Sequence, residues 1–396
     1  MYVATRISVA GAAASSGFSP SPSPSPSPSP SPSPRSHSLP PYITLQRRRG
    51  QVNQVGVYRV NHRIRSPRRP LQVLSAVVST SEEVLEVSEI KERSRKWLWR
   101  DRYSINYFVQ PPLAEDSGRC RPPLVLVHGF GASIPHWRRN ITTLAQDQTV
   151  YAIDLLGFGA SDKPEGFMYT MEAWAGLLLD FLNEVVQEPA VLIGNSVGSL
   201  ACVISASESC QRSQPLVSGL VLLNCSGGMN NKAIVDDWRI KLVLPLLWLV
   251  DFLLNKKPIA SAIFERVKQR ETLRNVLLSV YGCKESVDDT LVEIIKEPAD
   301  GEGALAAFVS IVTGPPGPSP VKLMPRISLP ILVLWGDQDP FTPLDGPVGK
   351  YFTSLPSTCK NVTFSVLNGV GHCPHDDRPS LVHQILLPWL ADLPPT

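Results

Sequence analysis

The chain has 396 residues, enough for one large or two ordinary domains, and 43% of them are hydrophobic, enough for a sizeable core. Its formal net charge of +3 conceals a segregation: residues 1–81 hold ten Arg but no Lys, Asp or Glu, which leaves 28 basic against 35 acidic residues beyond them. A remainder of net charge −7 argues against nucleic acid as partner, and no uninterrupted apolar run reaches the roughly 18 residues that a membrane span needs.

Residues 1–75 are Arg- and Ser-rich, free of acids and alanine-rich at the start, the composition of an organelle transit peptide rather than a secretory signal. Ser19 to Pro34 is eight Ser-Pro repeats, a polyproline-like spacer without the means to pack a core. The abundance of Ser and Pro favours a chloroplast over a mitochondrial address, and residues 76–95 read as a leader between this segment and the fold. Seven scattered cysteines (Cys120, Cys202, Cys210, Cys225, Cys283, Cys359, Cys373) form no CxxC pair and no metal-ligand spacing. Such a set suits a reducing compartment with free thiols. Cys373 reads as a small packing residue.

From Lys96 to Val109 the pattern predicts an opening antiparallel hairpin. Strands and helices then alternate: strand near 124–128, helix near 135–146, strand near 149–154, helix near 171–187, strand near 190–194, helix near 197–208, strand at 219–224. Alternation of this kind predicts a doubly wound, mostly parallel sheet with helices on both faces. The strand Leu124-Val-Leu-Val127 ends in His128-Gly-Phe-Gly131, and the strand after it ends in Asp154 and the loop Gly157-Phe-Gly-Ala-Ser161. His128 and Asp154 read as structural, binding loop backbone.

After the apolar run Ala190-Val-Leu-Ile193 stands Gly194-Asn-Ser-Val-Gly198, followed by a small-residue helix. A strand turning sharply into a helix through Gly-x-Ser-x-Gly presents an exposed serine at the turn, the nucleophile elbow of the α/β-hydrolase fold. Its next backbone N–H, that of Val197, lies at a helix N-terminus and is the first candidate oxyanion donor; the N–H of Phe130 is the second.

About a hundred residues separate Asn224 from the next strand at 330, too many for a crossover. Helical stretches are predicted near 233–254, 258–270, 271–281, 285–296 and 302–312, a helical cap over residues 226–327 inserted after the sixth strand. The hydrolase core then comprises residues 96–225 and 328–396. The run Leu242 to Leu254 is apolar on nearly every helical side, and nine basic against five acidic residues lie between Lys232 and Arg274. Two readings stand: a helix buried between cap and core, or a wall for a long apolar group and an anionic membrane surface.

Past the cap, Pro330-Ile-Leu-Val-Leu-Trp335 leads into Gly336-Asp-Gln-Asp339, and Val362-Thr-Phe-Ser-Val-Leu367 into Gly369-Val-Gly-His372. Serine, then aspartate, then histidine is the order in which α/β-hydrolases supply a triad. Gly-x-x-Asp after the strand selects Asp339 over Asp337, which reads as a turn residue. His372 heads Gly-His-x-x-x-x-Asp-x-Pro, with Asp377 where Glu is commoner, and is preferred as base to His375, which is expected on the surface of the following helix. The candidate catalytic residues are Ser196, Asp339 and His372, with Phe130 and Val197 as the oxyanion hole; neither metal nor dissociable cofactor is expected.

Gly194-Asn-Ser-Val-Gly-Ser-Leu-Ala-Cys202, Leu222-Leu-Asn-Cys-Ser-Gly-Gly-Met-Asn-Asn231, Val235-Asp-Asp-Trp-Arg239, Ser310-Ile-Val-Thr-Gly-Pro-Pro-Gly317 and Trp335-Gly-Asp-Gln-Asp339 together resemble the plant chlorophyll dephytylases, chloroplast α/β-hydrolases related to pheophytinase. The resemblance runs from about Trp97 to the C-terminus. It implies hydrolysis of the phytol ester of chlorophyll to chlorophyllide and phytol at thylakoid membranes during photosystem repair. The implied partners are the phytylated pigment, the membrane on its stromal side and pigment-binding proteins. The alternatives are a pheophytinase-like hydrolase of magnesium-free pigment, another carboxylester or carbon–carbon bond hydrolase, and a non-catalytic pigment or ligand receptor on the same fold. A serine at the elbow argues against epoxide hydrolases and haloalkane dehalogenases, which need a carboxylate there.

Overall fold

The computed structural model describes residues 84–114, 121–230 and 248–394. The transit-like segment, the start of the leader, Cys120, and residues 231–247 with the first part of the apolar run lie outside that range.

Eight strands form one sheet in the order β1-β2-β4-β3-β5-β6-β7-β8. Arg95–Trp99 (β1) and Tyr103–Gln110 (β2) are the expected hairpin, and β2 runs antiparallel to β4. Leu124–Val127 (β3), Val150–Ile153 (β4), Ala190–Asn195 (β5), Val217–Leu223 (β6), Ile331–Gly336 (β7) and Val362–Leu367 (β8) are mutually parallel. Every residue of β3, β5 and β7 is buried. Their continuous apolar runs follow from cover on both faces, where an alternating pattern would place polar groups in the core. One core layer packs Trp99, Trp174, Trp335 and Phe352; the other packs Ile90, Trp137, Ile141 and Val382.

Three expectations need adjustment. The fold begins before residue 96: Val87–Arg93 is a helix whose Ile90 is buried in the second layer, and Leu85 N–H bonds to the Arg138 carbonyl at 3.0 Å. A single apolar contact in the charged stretch Val-Ser-Glu-Ile-Lys-Glu-Arg carries no periodicity to read. The helix expected near 135–146 is two short pieces, a 3₁₀ turn Ile134–Trp137 and Ile141–Leu144, because buried Arg138 and Asn140 bond to the histidine loop rather than lie on a solvent face. The helix Met171–Phe181 passes into a π-helical turn, Leu182–Val186, before reaching β5.

Between β6 and β7 lie the cap helices Lys257–Val267, Arg270–Val280, Asp289–Ala299 and Ala304–Thr313, preceded by a helical stretch over 248–254. Asp288 caps its helix by accepting the Leu291 N–H at 2.6 Å. Two small apolar clusters hold the cap together, one around Leu273, Leu277 and Leu291 and one around Leu254, Ala260 and Val312. Among the described residues no helix is long and apolar enough to cross a membrane.

Candidate active site

Ser196 follows the last residue of β5 and precedes the helix Val197–Ser209, with φ 56° and ψ −119°. A non-glycine residue in this region costs on the order of 1–3 kcal/mol and persists only where its surroundings enforce it. Here the Ser196 N–H donates to the Leu223 carbonyl at 3.0 Å, its own carbonyl accepts from Ser226 N–H at 3.2 Å, and Ser199 Oγ donates to the Gly194 carbonyl at 2.6 Å. The two glycines permit the approach. A Cβ on Gly194 would stand 2.6 Å from the Ser199 backbone, and one on Gly198 would stand 2.3 Å from the His128 carbonyl oxygen.

Val197 therefore opens the helix directly after Ser196, as expected. The loop that carries Phe130 lies against the serine: the Cβ direction of Gly129 points to within 3.3 Å of Ser196 Cβ. Phe130 turns its ring outward at 43% exposure, edge-on to Phe158 with centroids 5.6 Å apart and 6.2 Å from Phe308 of the cap. The loop that carries Phe130 and the cap thus meet through aromatic rings next to the elbow.

His372 and Asp339 meet past the ends of β8 and β7. His372 Nδ1 lies 2.7 Å from Asp339 Oδ2. A carboxylate only accepts, so Nδ1 carries the proton and Nε2 keeps its lone pair in the neutral ring. The carboxylate also accepts from Asn224 Nδ2 at 2.7 Å, Thr342 Oγ1 at 2.5 Å, Phe341 N–H at 2.7 Å and Thr342 N–H at 3.1 Å. Burial alone would raise the Asp339 pKa, but the facing imidazole and these donors outweigh it and hold it at about 2. The backbone of His372 is clamped on both sides: its N–H donates to the Val280 carbonyl of the cap at 2.9 Å, and its carbonyl accepts from Asn195 Nδ2 at 2.9 Å. Asn195 immediately precedes the serine, so this bond ties the elbow to the histidine loop.

Asn224 and Thr342 have no role in the sequence reading. Asn224 directly follows β6 with φ 44°, and its Oδ1 accepts the Gly336 N–H at 2.9 Å while its amide reaches Asp339. An asparagine just past a buried strand, at the same level as the serine and the aspartate, is the signal that was present. Asp337 lies apart, accepting from Gly369 N–H at 2.7 Å and Val370 N–H at 3.4 Å, the turn role expected of it.

The other histidines divide. His128 is the expected structural residue: the Leu155 N–H donates to Nε2 at 3.0 Å, so Nδ1 carries the proton and donates to the Gly129 carbonyl at 2.7 Å. Asp154 accepts from Ile134 N–H at 2.7 Å, Ala160 N–H at 2.9 Å and Asn106 Nδ2 at 2.9 Å, joining the two loops beside the serine. His375 contradicts the sequence expectation. It is fully buried rather than on the surface, its ring 4.0 Å from that of Trp137 and 4.6 Å from that of His136. Burial keeps it neutral, with its pKa well below the usual imidazole value. The four-residue helix Pro374–Asp377 is wedged under the 3₁₀ turn and has no solvent face for it. Cys373 is buried beside Tyr281 in a cap cluster, as a packing residue.

The outer face of the cap differs from this interior. Trp248 (64% exposed), Leu249 (51%) and Phe252 (59%) project from the 248–254 stretch, and Lys256 Nζ lies 5.0 Å from the Phe252 ring.

The family model described as "alpha/beta hydrolase fold" matches residues 122–379, well over half of the chain. An uncharacterized hydrolase, YugF of Bacillus subtilis, is 27% identical over 67% of this chain and 88% of its own length. The chloroplastic pheophytinase of Arabidopsis thaliana is 26% identical over 69% of this chain, which spans 62% of that relative's length. Among solved structures, a bacterial membrane phospholipase A superposes with a TM-score of 0.58 at 22% identity, covering 77% of this chain and 90% of that one, a likeness of fold. The elbow, the eight-stranded sheet and the family match agree: the chain belongs to the α/β-hydrolase fold family.

Proposed function

We propose that the protein is a serine ester hydrolase that cleaves the phytol ester of chlorophyll. The observation that carries the hydrolase reading is the strained Ser196 at the elbow, tied through Asn195 to the loop of His372, whose Nδ1 lies 2.7 Å from Asp339. In this reading His372 Nε2 takes the Ser196 Oγ proton as Oγ bonds to the ester carbonyl carbon. Phe130 and Val197 N–H groups stabilise the oxyanion. The imidazolium returns its proton to the departing phytol oxygen as the carbon–oxygen bond breaks. Water, deprotonated by the same nitrogen, then adds to the acyl carbon, and its proton passes to Ser196 as the free carboxylic acid leaves. Asp339, ionised throughout, keeps the ring in the tautomer that serves both halves.

The substrate assignment is supported by the similarity to Arabidopsis pheophytinase, by the motif resemblance, and by the aromatic wall of Phe130, Phe158 and Phe308. A C20 isoprenoid alcohol suits a dry extended surface, since each buried CH₂ is worth roughly 0.8 kcal/mol. Trp248, Leu249 and Phe252 with the adjacent Lys256 and Lys257 support peripheral docking on an anionic membrane, and the transit-like N-terminus supports a chloroplast, thylakoid-side location. Propionate esters of alcohols of graded length, up to phytol, test the reading. Turnover should rise with length and vanish in Ser196→Ala, whereas turnover that survives the substitution contradicts it.

A further inference from the structure

One end of the cap is built into the loop that carries His372. The turn after helix Arg270–Val280 lies flush against residues 369–372. A Cβ on Gly371 would fall 2.0 Å from the Val280 carbonyl oxygen, and one on Gly282 would fall 2.2 Å from the Gly369 carbonyl oxygen. Backbone meets backbone on both sides, leaving no room for a side chain. Asp377, buried at 1% exposure, closes this junction. Its Oδ2 accepts the N–H of Gly371 at 2.6 Å and of Gly282 at 2.8 Å, and its Oδ1 accepts the N–H of Cys283 at 2.8 Å. One carboxylate therefore receives a donor from the residue before His372 and two from the cap, while Ser286 Oγ donates to its carbonyl at 2.8 Å.

The neighbouring Asp376 repeats the connection. It accepts from Tyr281 Oη at 2.9 Å and Arg138 Nη1 at 2.7 Å, and its carbonyl accepts from Arg139 Nη1 at 2.7 Å. Arg139 also bonds Asp288 of the cap at 2.9 Å. The cap turn is thus held to the core by buried, charge-assisted bonds, which are shorter and stronger than neutral ones.

We propose that Asp377 is a positioning residue for His372: by gathering the Gly371, Gly282 and Cys283 N–H groups it makes the cap turn Val280–Cys283 a fixed support for the base. The cap is then divided, anchored at this end and free to shape a substrate surface at the other. The role given to His372 here rests on the hydrolase reading; its placement does not. Asp377→Asn keeps the volume but offers one acceptor where two oxygens took three donors, and turns an NH₂ toward a backbone N–H. Asp377→Glu keeps both acceptor oxygens.

The test compares these variants with Val217→Ala, a cavity at the start of β6, at the opposite end of the strand from Asn224, that serves as a stability-matched control. Well below each melting temperature, Asp377→Asn should lower kcat for a short nitrophenyl ester roughly 100-fold with KM little changed, the scale expected when a catalytic group is displaced by about 1 Å. Asp377→Glu should recover most of that loss, and Val217→Ala should keep wild-type kcat despite its lower melting temperature. The downfield proton resonance of His372 Nδ1–H, which needs no substrate, should shift or broaden in Asp377→Asn alone. If Asp377→Asn does not fold, Gly282→Ala attacks the same contact from the cap side and should give the same kcat loss and the same change in resonance. Wild-type kcat and an unmoved resonance in a folded junction variant would overturn the proposal. A wild-type protein that turns over no ester, with the resonance still displaced in Asp377→Asn, would sink the hydrolase reading and leave the positioning role standing.

Discussion

The loops around Ser196 and the outer face of the cap are made of different materials. On the sheet side, Ser196, His372 and Asp339 are each fixed by short bonds to backbone or buried amide groups, and close packing permits only glycine at several neighbouring positions. On the cap side, around 248–259, Trp248, Leu249 and Phe252 stand more than half exposed. The first region has nothing left to adjust, which suits a group of atoms that must hold one geometry for any ester. The second presents exposed apolar area, which under the proposed function suits contact with a long alcohol or with the membrane that holds it. Damage to the first should fall on all substrates alike, and damage to the second only on those long enough to reach it.

The largest effect belongs to the sheet side. Ser196→Ala should lower turnover of short and long esters by roughly a million-fold, the scale seen when a triad nucleophile is removed. Its melting temperature should stay close to wild type, as loss of one hydroxyl opens no cavity. A substantially larger loss on long esters than on short ones would break the division between the regions. Next, Asp339→Asn should cost roughly ten-thousand-fold by leaving the imidazole in the wrong tautomer. Asp337→Asn, which affects only the 369–370 turn, should cost far less, and steady-state kinetics on one soluble ester ranks the two.

The cap side predicts a split instead. Replacing Trp248, Leu249 and Phe252 together by Ser should lower kcat/KM for a phytyl ester by roughly 10- to 100-fold, equivalent to losing about two to four buried CH₂ groups. A short soluble ester should be unaffected, and the three side chains are exposed enough that folding should survive. Equal losses on both substrates would assign this helix to structure alone.

The smallest effect is electrostatic. Asp339 is held at about 2, below the roughly 3.9 of an unfolded aspartate, so its contribution to stability is complete above pH 4 and disappears as pH falls through about 2. Over that window the wild-type melting temperature should fall towards that of Asp339→Asn, which has no carboxylate to protonate. A constant difference between the two melting curves would mean that the aspartate is not held in this way.

How much of this was legible in the sequence follows from the physics of each element. The inner strands were readable because a strand covered on both faces must be apolar throughout, as β3, β5 and β7 are. The serine was readable because the tight turn that carries it demands small residues at fixed offsets, though it is buried rather than exposed as expected, and Asp339 and His372 follow strands that announce themselves. Asn224 and Thr342 were not, since their bonds to Asp339 join residues that only the sheet brings together. His375 misled for a related reason: a polar ring on a short helix reads as exposed, but Trp137 and His136 cover it from an element more than two hundred residues earlier. The helix Val87–Arg93 escaped because one buried isoleucine gives no period.

The central claim, hydrolysis of a phytyl ester at Ser196, is tested most directly by offering chlorophyll a and pheophytin a together to the purified protein and separating the products. The account predicts phytol released in step with the loss of phytylated pigment, from one or both substrates, and no release by Ser196→Ala. Pigment that is bound by the wild-type protein and recovered with its ester intact would contradict it.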